Sequence, residues 1–204
     1  MTSIPEPVSR AAAAFDSLPG LGPRAALRYA FWLITQPKDA ILRFAKSVEG
    51  LATNVTTCTT CHAWADRSPC AICRDPSRDR SSLCVVATSQ DLRAVEETGA
   101  FHGTYHVLNG TLDPIEGRTA EKLTIVDLMA RLRDGESPIK EVILALDTDI
   151  PGDTTTLYLR KQMTGLPVKI TRLARGLPTG AALEYADANT IADAIENRKE
   201  TNGN

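Results

Sequence analysis

The sequence lacks several features that would fix a function at once. No eighteen-residue apolar run occurs in its 204 residues, so no segment is a candidate membrane-spanning helix. The opening stretch MTSIPEPVSRAAAAFDSLPG has no cationic start followed by an apolar segment, so no secretion signal is read there and a cytoplasmic protein is expected. No GxxxxGK followed by Ser or Thr is present to cradle a nucleoside triphosphate. No serine or tyrosine stands out as a nucleophile paired with a base. A net charge of −2, from 23 basic and 25 acidic residues, excludes a chain that is basic throughout. What remains is a globular composition, 43% hydrophobic and 24% charged, able to bury a core without disulfides. The length suits several small modules better than one large one.

Cysteine is scarce but concentrated. Residues 58–73 read CTTCHAWADRSPCAIC, two Cys-x-x-Cys pairs separated by eight residues. Each pair can present two thiolates from a tight turn, and two pairs complete the tetrahedral sulfur shell that zinc favours. Two disulfides or four unrelated thiols are the alternatives, and a reducing cytosol favours the metal. With Cys58, Cys61, Cys70 and Cys73 as ligands no position is left for water, so a structural and not a catalytic Zn²⁺ is expected. His62 is expected at the rim.

Charge is also uneven. From Arg10 to Lys46 the basic residues are Arg10, Arg24, Arg28, Lys38, Arg43 and Lys46, and the acidic ones only Asp16 and Asp39. A polyanion should therefore meet this N-terminal part. Three helices are predicted there, over residues 10–18 with Ser9 as cap, from Pro23 to Ile34, and over 38–51. Residues 1–8 are expected to be disordered, and Ile41, Phe44, Ala45, Val48, Leu51 and Ala52 to form a buried stripe. In LPGLGPRAA, Gly20 and Gly22 permit a tight turn that feeds a helix N-terminus, where bare N–H groups and the helix dipole favour phosphate. Arg24 and Arg28 add charge one turn apart. This stretch resembles a helix-hairpin-helix, which grips the nucleic-acid backbone without reading bases. A plain helical hairpin is the alternative.

After a polar linker at 75–82 the pattern alternates. Strands are predicted over 83–87, 105–108, 141–146 and 168–171, with helices over 90–97, 120–133 and 153–163 between them. That order implies right-handed crossovers and a mostly parallel four-stranded sheet. Sites in such sheets form at strand carboxyl ends, where Asp147, Asp149 and Asp153 could hold Mg²⁺ or, with Asp153 as N-cap, serve only the loop. A C-terminal loop and helix over 189–198 follow, with Glu184 and Asp187 expected to be structural and a disordered tail after them.

The order from strand 83–87 to the Asp-x-Asp loop resembles a Toprim domain, found in topoisomerases, primases and some nucleases. Active Toprim enzymes need a glutamate at the end of the first strand, and VVATSQDL places Ala87 there. A methyl group neither binds metal nor moves a proton. The whole sequence of parts, ending in GLPxGxxLEYxD at Gly176 to Asp187, resembles the RecR family of bacterial recombination mediators. The resemblance implies an α/β multidomain chain: a helical part over 1–54, a zinc finger over 55–76, a Toprim-like domain over 80–173 and a C-terminal part over 174–204. It implies a non-catalytic clamp that assembles from dimers into a ring of four, binds DNA through Arg24 and Arg28, and with RecO, and in some contexts RecF, places RecA on gapped DNA. The family's loop after the third strand usually reads Asn-Pro then Glu-Gly-Glu. Here it is DTDIPGD, which leaves both RecO contact and Mg²⁺ binding open at Asp147, Asp149 and Asp153. A metal-dependent Toprim enzyme acting on phosphodiesters is the alternative function.

Overall fold

The computed structural model describes residues 4–134 and 137–200 and divides into two compact units, Met1–Val55 and Thr56–Asn204. The expected disorder at residues 1–3 and 201–204 lies outside the described residues.

The first unit is helical, with α1 over Glu6–Asp16, α2 over Pro23–Ile34 and α3 over Lys38–Thr53. Helix α1 starts four residues before the predicted position. Pro7 falls in its first turn, where a missing N–H costs nothing, so proline opens this helix where it was expected to prevent one. Val8, Ala26 and Ala30 are buried between α1 and α2, and the ring of Phe15 meets Tyr29 at 6.4 Å and Phe44 at 6.5 Å. The predicted buried stripe of α3 is not buried: no residue of that helix is, and Phe44, Val48 and Leu51 stand about half or more exposed. The 3.6-residue period does mark an amphipathic helix, but three short helices offer too little surface to cover all their apolar faces.

The second unit opens with a small hairpin, β1 (Thr56–Thr57) paired antiparallel with β2 (Trp64–Ala65), and a one-turn helix α4 (Ala71–Arg74). A parallel sheet follows, built from β3 (Asp79–Val86), β4 (Gly103–Val107), β5 (Glu141–Ala145) and β6 (Lys169–Arg172) in the order β4-β3-β5-β6. Helices α5 (Ser89–Glu97), α6 (Ile125–Arg133) and α7 (Ile150–Gln162) connect the strands, and α8 (Ala188–Glu196) closes the chain. Parallel pairing buries both faces, which is why LCVV and GTYHV are covered throughout. One core holds Leu83, Val85, Leu108, Leu128, Val142, Leu144 and Leu159; the other holds Cys84, Val86, Tyr105 and Val107.

Three departures from expectation stand out in this unit. Strand β3 begins at Asp79, inside the predicted linker, because its polar first half pairs with the edge of the sheet before the apolar run starts. The predicted 120–133 helix is split: a 3₁₀ turn over Ala120–Lys122 precedes α6, and Thr124, between them, spends its hydroxyl on the Val107 carbonyl at 2.6 Å. The N-cap of α7 is Asp149, whose Oδ1 accepts from the Gly152 N–H at 2.8 Å, and not Asp153.

Candidate functional site

The four cysteine sulfurs converge. Their Sγ atoms all lie within 4.8 Å of one another, with Cys58 and Cys73 at 3.8 Å and Cys61 and Cys70 at 3.6 Å. A tetrahedron with Zn–S bonds of about 2.3 Å has edges of about 3.8 Å, so the donor set has the size and chemistry of a structural zinc site. Local backbone shapes it: the Cys58 N–H donates to Ala63 O, the His62 N–H donates to Cys58 O, and His62 itself takes a left-handed φ of 61°. The Cys70 N–H donates to Cys58 Sγ at 3.3 Å, and Cys70 caps α4 by accepting from the Cys73 N–H at 3.5 Å.

The thiols do not share one acidity. Burial acts to raise Cys58, but N–H groups of Cys70, Cys61 and Thr60 outweigh it and bring its pKa down to about 6. Cys61 is driven upward, first by the Cys73 side chain and then by burial. Cys58 gives up its proton readily while Cys61 and Cys70 resist, so a divalent cation is what would hold the set as thiolates together.

The cysteine loop is anchored on the sheet. Cys58, Cys61, Ala63 and Cys70 pack with Cys84, Val86, Tyr105 and Val107, and the Val107 N–H donates to Cys61 O at 2.8 Å. His62, expected at the rim, lies half-buried against the fully buried His106, with ring centroids 5.0 Å apart, and its Nε2 is 3.5 Å from Asp127 of α6. His106 Nε2 donates to the Thr124 carbonyl at 3.0 Å, its Nδ1 has no partner among the described residues, and burial lowers its pKa to about 3. One turn beyond Asp127, Arg131 donates to Tyr105 O at 2.8 Å and Thr104 Oγ1 at 3.1 Å. Sequence spacing identifies the ligands but neither His106 nor Arg131, since nothing in their positions along the chain ties them to the cysteines.

In the first unit, Gly20 has φ 79°, the left-handed value that suits glycine, and Gly22 is the extended N-cap of α2. Arg24 and Arg28 follow on the first two turns, both exposed. Arg10 pairs with Glu6 and Arg43 with Asp39, whereas Arg24 and Arg28 enter no ion pair among the described residues. The arginines and the bare N-terminus of α2 thus adjoin, as the motif predicts.

At the carboxyl end of β5, Asp147, Thr148, Asp153, Arg172 and Arg175 line a cleft of about 250 Å³. Asp149 is committed to capping and Asp153 is paired with Arg175. Among the described residues the four cysteines form a group able to hold a metal; Asp147, Asp149 and Asp153 do not. Asp187 caps α8 through the N–H groups of Asn189 and Thr190, each at 3.0 Å, the structural role expected of it.

A helical hairpin, a four-cysteine zinc loop and a parallel Toprim-type sheet together define a zinc-finger Toprim protein. Family models agree part by part: RecR helix-hairpin-helix over residues 8–51, the RecR four-cysteine zinc finger domain over 55–75, Toprim domain over 81–174 and RecR C-terminal over 176–199. The chain is 43% identical over 196 residues to the recombination protein RecR of Moorella thermoacetica, an alignment covering 96% of this chain and 98% of that protein. The chain belongs to the RecR family. Among the described residues no helix is long and apolar enough to cross a membrane.

Proposed function

We propose that the chain is a non-catalytic DNA-binding clamp and adaptor in recombinational repair, which helps RecO, and RecF in some contexts, to load RecA onto gapped or single-stranded DNA. The observation that carries the reading is the coincidence of Arg24 and Arg28, exposed and without an ion-pair partner among the described residues, with the glycine turn and the N-terminus of α2. In this reading Gly20, Gly22, Arg24 and Arg28 contact the sugar-phosphate backbone, Cys58, Cys61, Cys70 and Cys73 hold a structural zinc, and the face around Asp147, Asp149 and Asp153 meets a protein partner. The parts divide at residues 1–54, 55–76, 80–173 and 174–204. Copies assemble through apolar helix faces such as that of α3 into a dimer or a ring of four, in the cytoplasm on the nucleoid.

Support for the adaptor over an enzyme comes from Ala87 at the end of β3, and from Asp149 and Asp153 being engaged in cap and ion pair. The test is incubation of labelled single-stranded, gapped and duplex DNA with the purified chain and Mg²⁺ or Mn²⁺. Binding without cleavage is expected. Cleavage that disappears in Asp147→Ala and Asp149→Ala would make the chain a Toprim enzyme instead. Mass measurement in solution should show more than monomer.

A further inference from the structure

Resting on the reading of the hairpin as a DNA-binding element, we propose that Tyr29 and Trp32 form a stacking platform for unpaired bases beside the arginines, so that the preferred ligand is single-stranded or gapped DNA and not uninterrupted duplex.

Residues four apart stay on one face of a helix, so Arg24, Arg28 and Trp32 run as a stripe along α2: two guanidiniums followed by an indole. Trp32 is 58% exposed and Tyr29 is 42% exposed. The Arg28 guanidinium lies over the Tyr29 ring, 5.6 Å from its centroid, and Arg28, Tyr29 and Trp32 line a recess of about 280 Å³. A cation held on one aromatic face with a second aromatic ring beside it matches a ligand that is anionic at one end and flat and apolar at the other. An unpaired nucleotide is such a ligand: its phosphate meets the arginines and its base stacks on the rings. Duplex phosphates satisfy only the arginines, because paired bases already stack on one another and leave the indole in water.

The test uses the full chain carrying Trp64→Phe, which leaves Trp32 as its sole tryptophan, since the sequence has two and Trp64 is itself exposed. Trp32 emission is followed while oligo-dT, or a duplex of equal length, is added, and affinities and assembly mass are measured for Trp32→Ala, Trp32→Phe and Arg24→Ala/Arg28→Ala. Oligo-dT should quench Trp32 strongly and duplex weakly. Trp32→Ala should weaken single-strand binding about tenfold, within the range for loss of one stacked base, and leave duplex binding within about twofold, while Trp32→Phe keeps most of the affinity. No quenching, equal losses on both DNAs, or a fall in assembly mass with DNA affinity unchanged would overturn the platform, the last by making Trp32 a contact between copies. If the double arginine variant loses both DNAs while Trp32→Ala loses neither, stacking is wrong and the backbone-binding reading stands. If no form binds either DNA, both fail.

Discussion

Arg131 feels the charge of the four-cysteine site without being one of its ligands. Burial pulls its pKa below the ordinary value, and the sulfurs of Cys73, Cys61 and Cys58 act in the opposite direction, favouring the cation. A zinc ion with four thiolates carries two net negative charges, and in a site where three of the four cysteines are buried a nearby guanidinium would offset part of that charge. Arg131→Met should therefore release zinc to a chromogenic chelator about tenfold faster than wild type, with Arg131→Lys in between. Equal release rates in all three would show that its hydrogen bonds to Tyr105 and Thr104 are its whole role. Glu96 gives a second prediction. Its carboxylate is paired with Arg78 and accepts from Tyr105 Oη at 2.7 Å, and the Arg78 hydrogen bond holds its pKa below the ordinary 4.5. A depressed folded-state pKa means the unfolded chain binds the proton first, so this stabilisation is complete above about pH 4.5 and is lost as pH falls through the lower folded value. Glu96→Gln should lower the urea midpoint at pH 7 while narrowing its gap to wild type as pH drops below about 4.5. A gap constant with pH would contradict the assignment.

At the scale of elements, the cysteine loop and the β5–α7 turn are two places where the fold has little slack. Because metal binding is part of the folding free energy of so short a loop, Cys→Ser at position 58, 61, 70 or 73 should cut zinc content and lower the thermal midpoint, as read by metal analysis and calorimetry. Full zinc and an unchanged midpoint would remove the metal from the account. In the turn, a Cβ at Gly152 would collide with the Asp147 carbonyl oxygen, a backbone atom that cannot swing aside. Gly152→Ala should cost about 1–3 kcal/mol in denaturant unfolding; a neutral result would mean that the turn relaxes. These elements also mark what is legible in the sequence. The two Cys-x-x-Cys pairs and the LPGLG turn are short-range signals whose chemistry and geometry are local, and the alternation of strands and helices implies the parallel sheet. Asp153 as the cap of α7 falls four residues late because DTDIPGD offers three aspartates, and only the Gly152 N–H selects among them. His106 and Arg131 are invisible in the sequence because they reach the cysteine loop through the packing of β4 and α6. The stripe of α3 is legible as apolar, but burial depends on what lies opposite, which periodicity does not report.

Across the whole molecule, two kinds of chemistry are divided between the two units. The first unit offers Arg24 and Arg28 beside the exposed rings of Tyr29 and Trp32, while the second holds the four-cysteine site and a parallel sheet with Ala87 just beyond β3. Four thiolates around zinc leave no open position for substrate, and Asp149 and Asp153 are engaged in cap and ion pair, which is why the function proposed above is grip on DNA without cleavage. The most direct measurement of that claim is the salt dependence of DNA binding by wild type and by Arg24→Ala/Arg28→Ala. Each phosphate contact contributes about 0.9 to the slope of log affinity against log salt on duplex, so the double variant should bind more weakly and with a slope shallower by about 2. A wild-type chain that ignores DNA at low salt, or a double variant with an unchanged slope, would contradict the account.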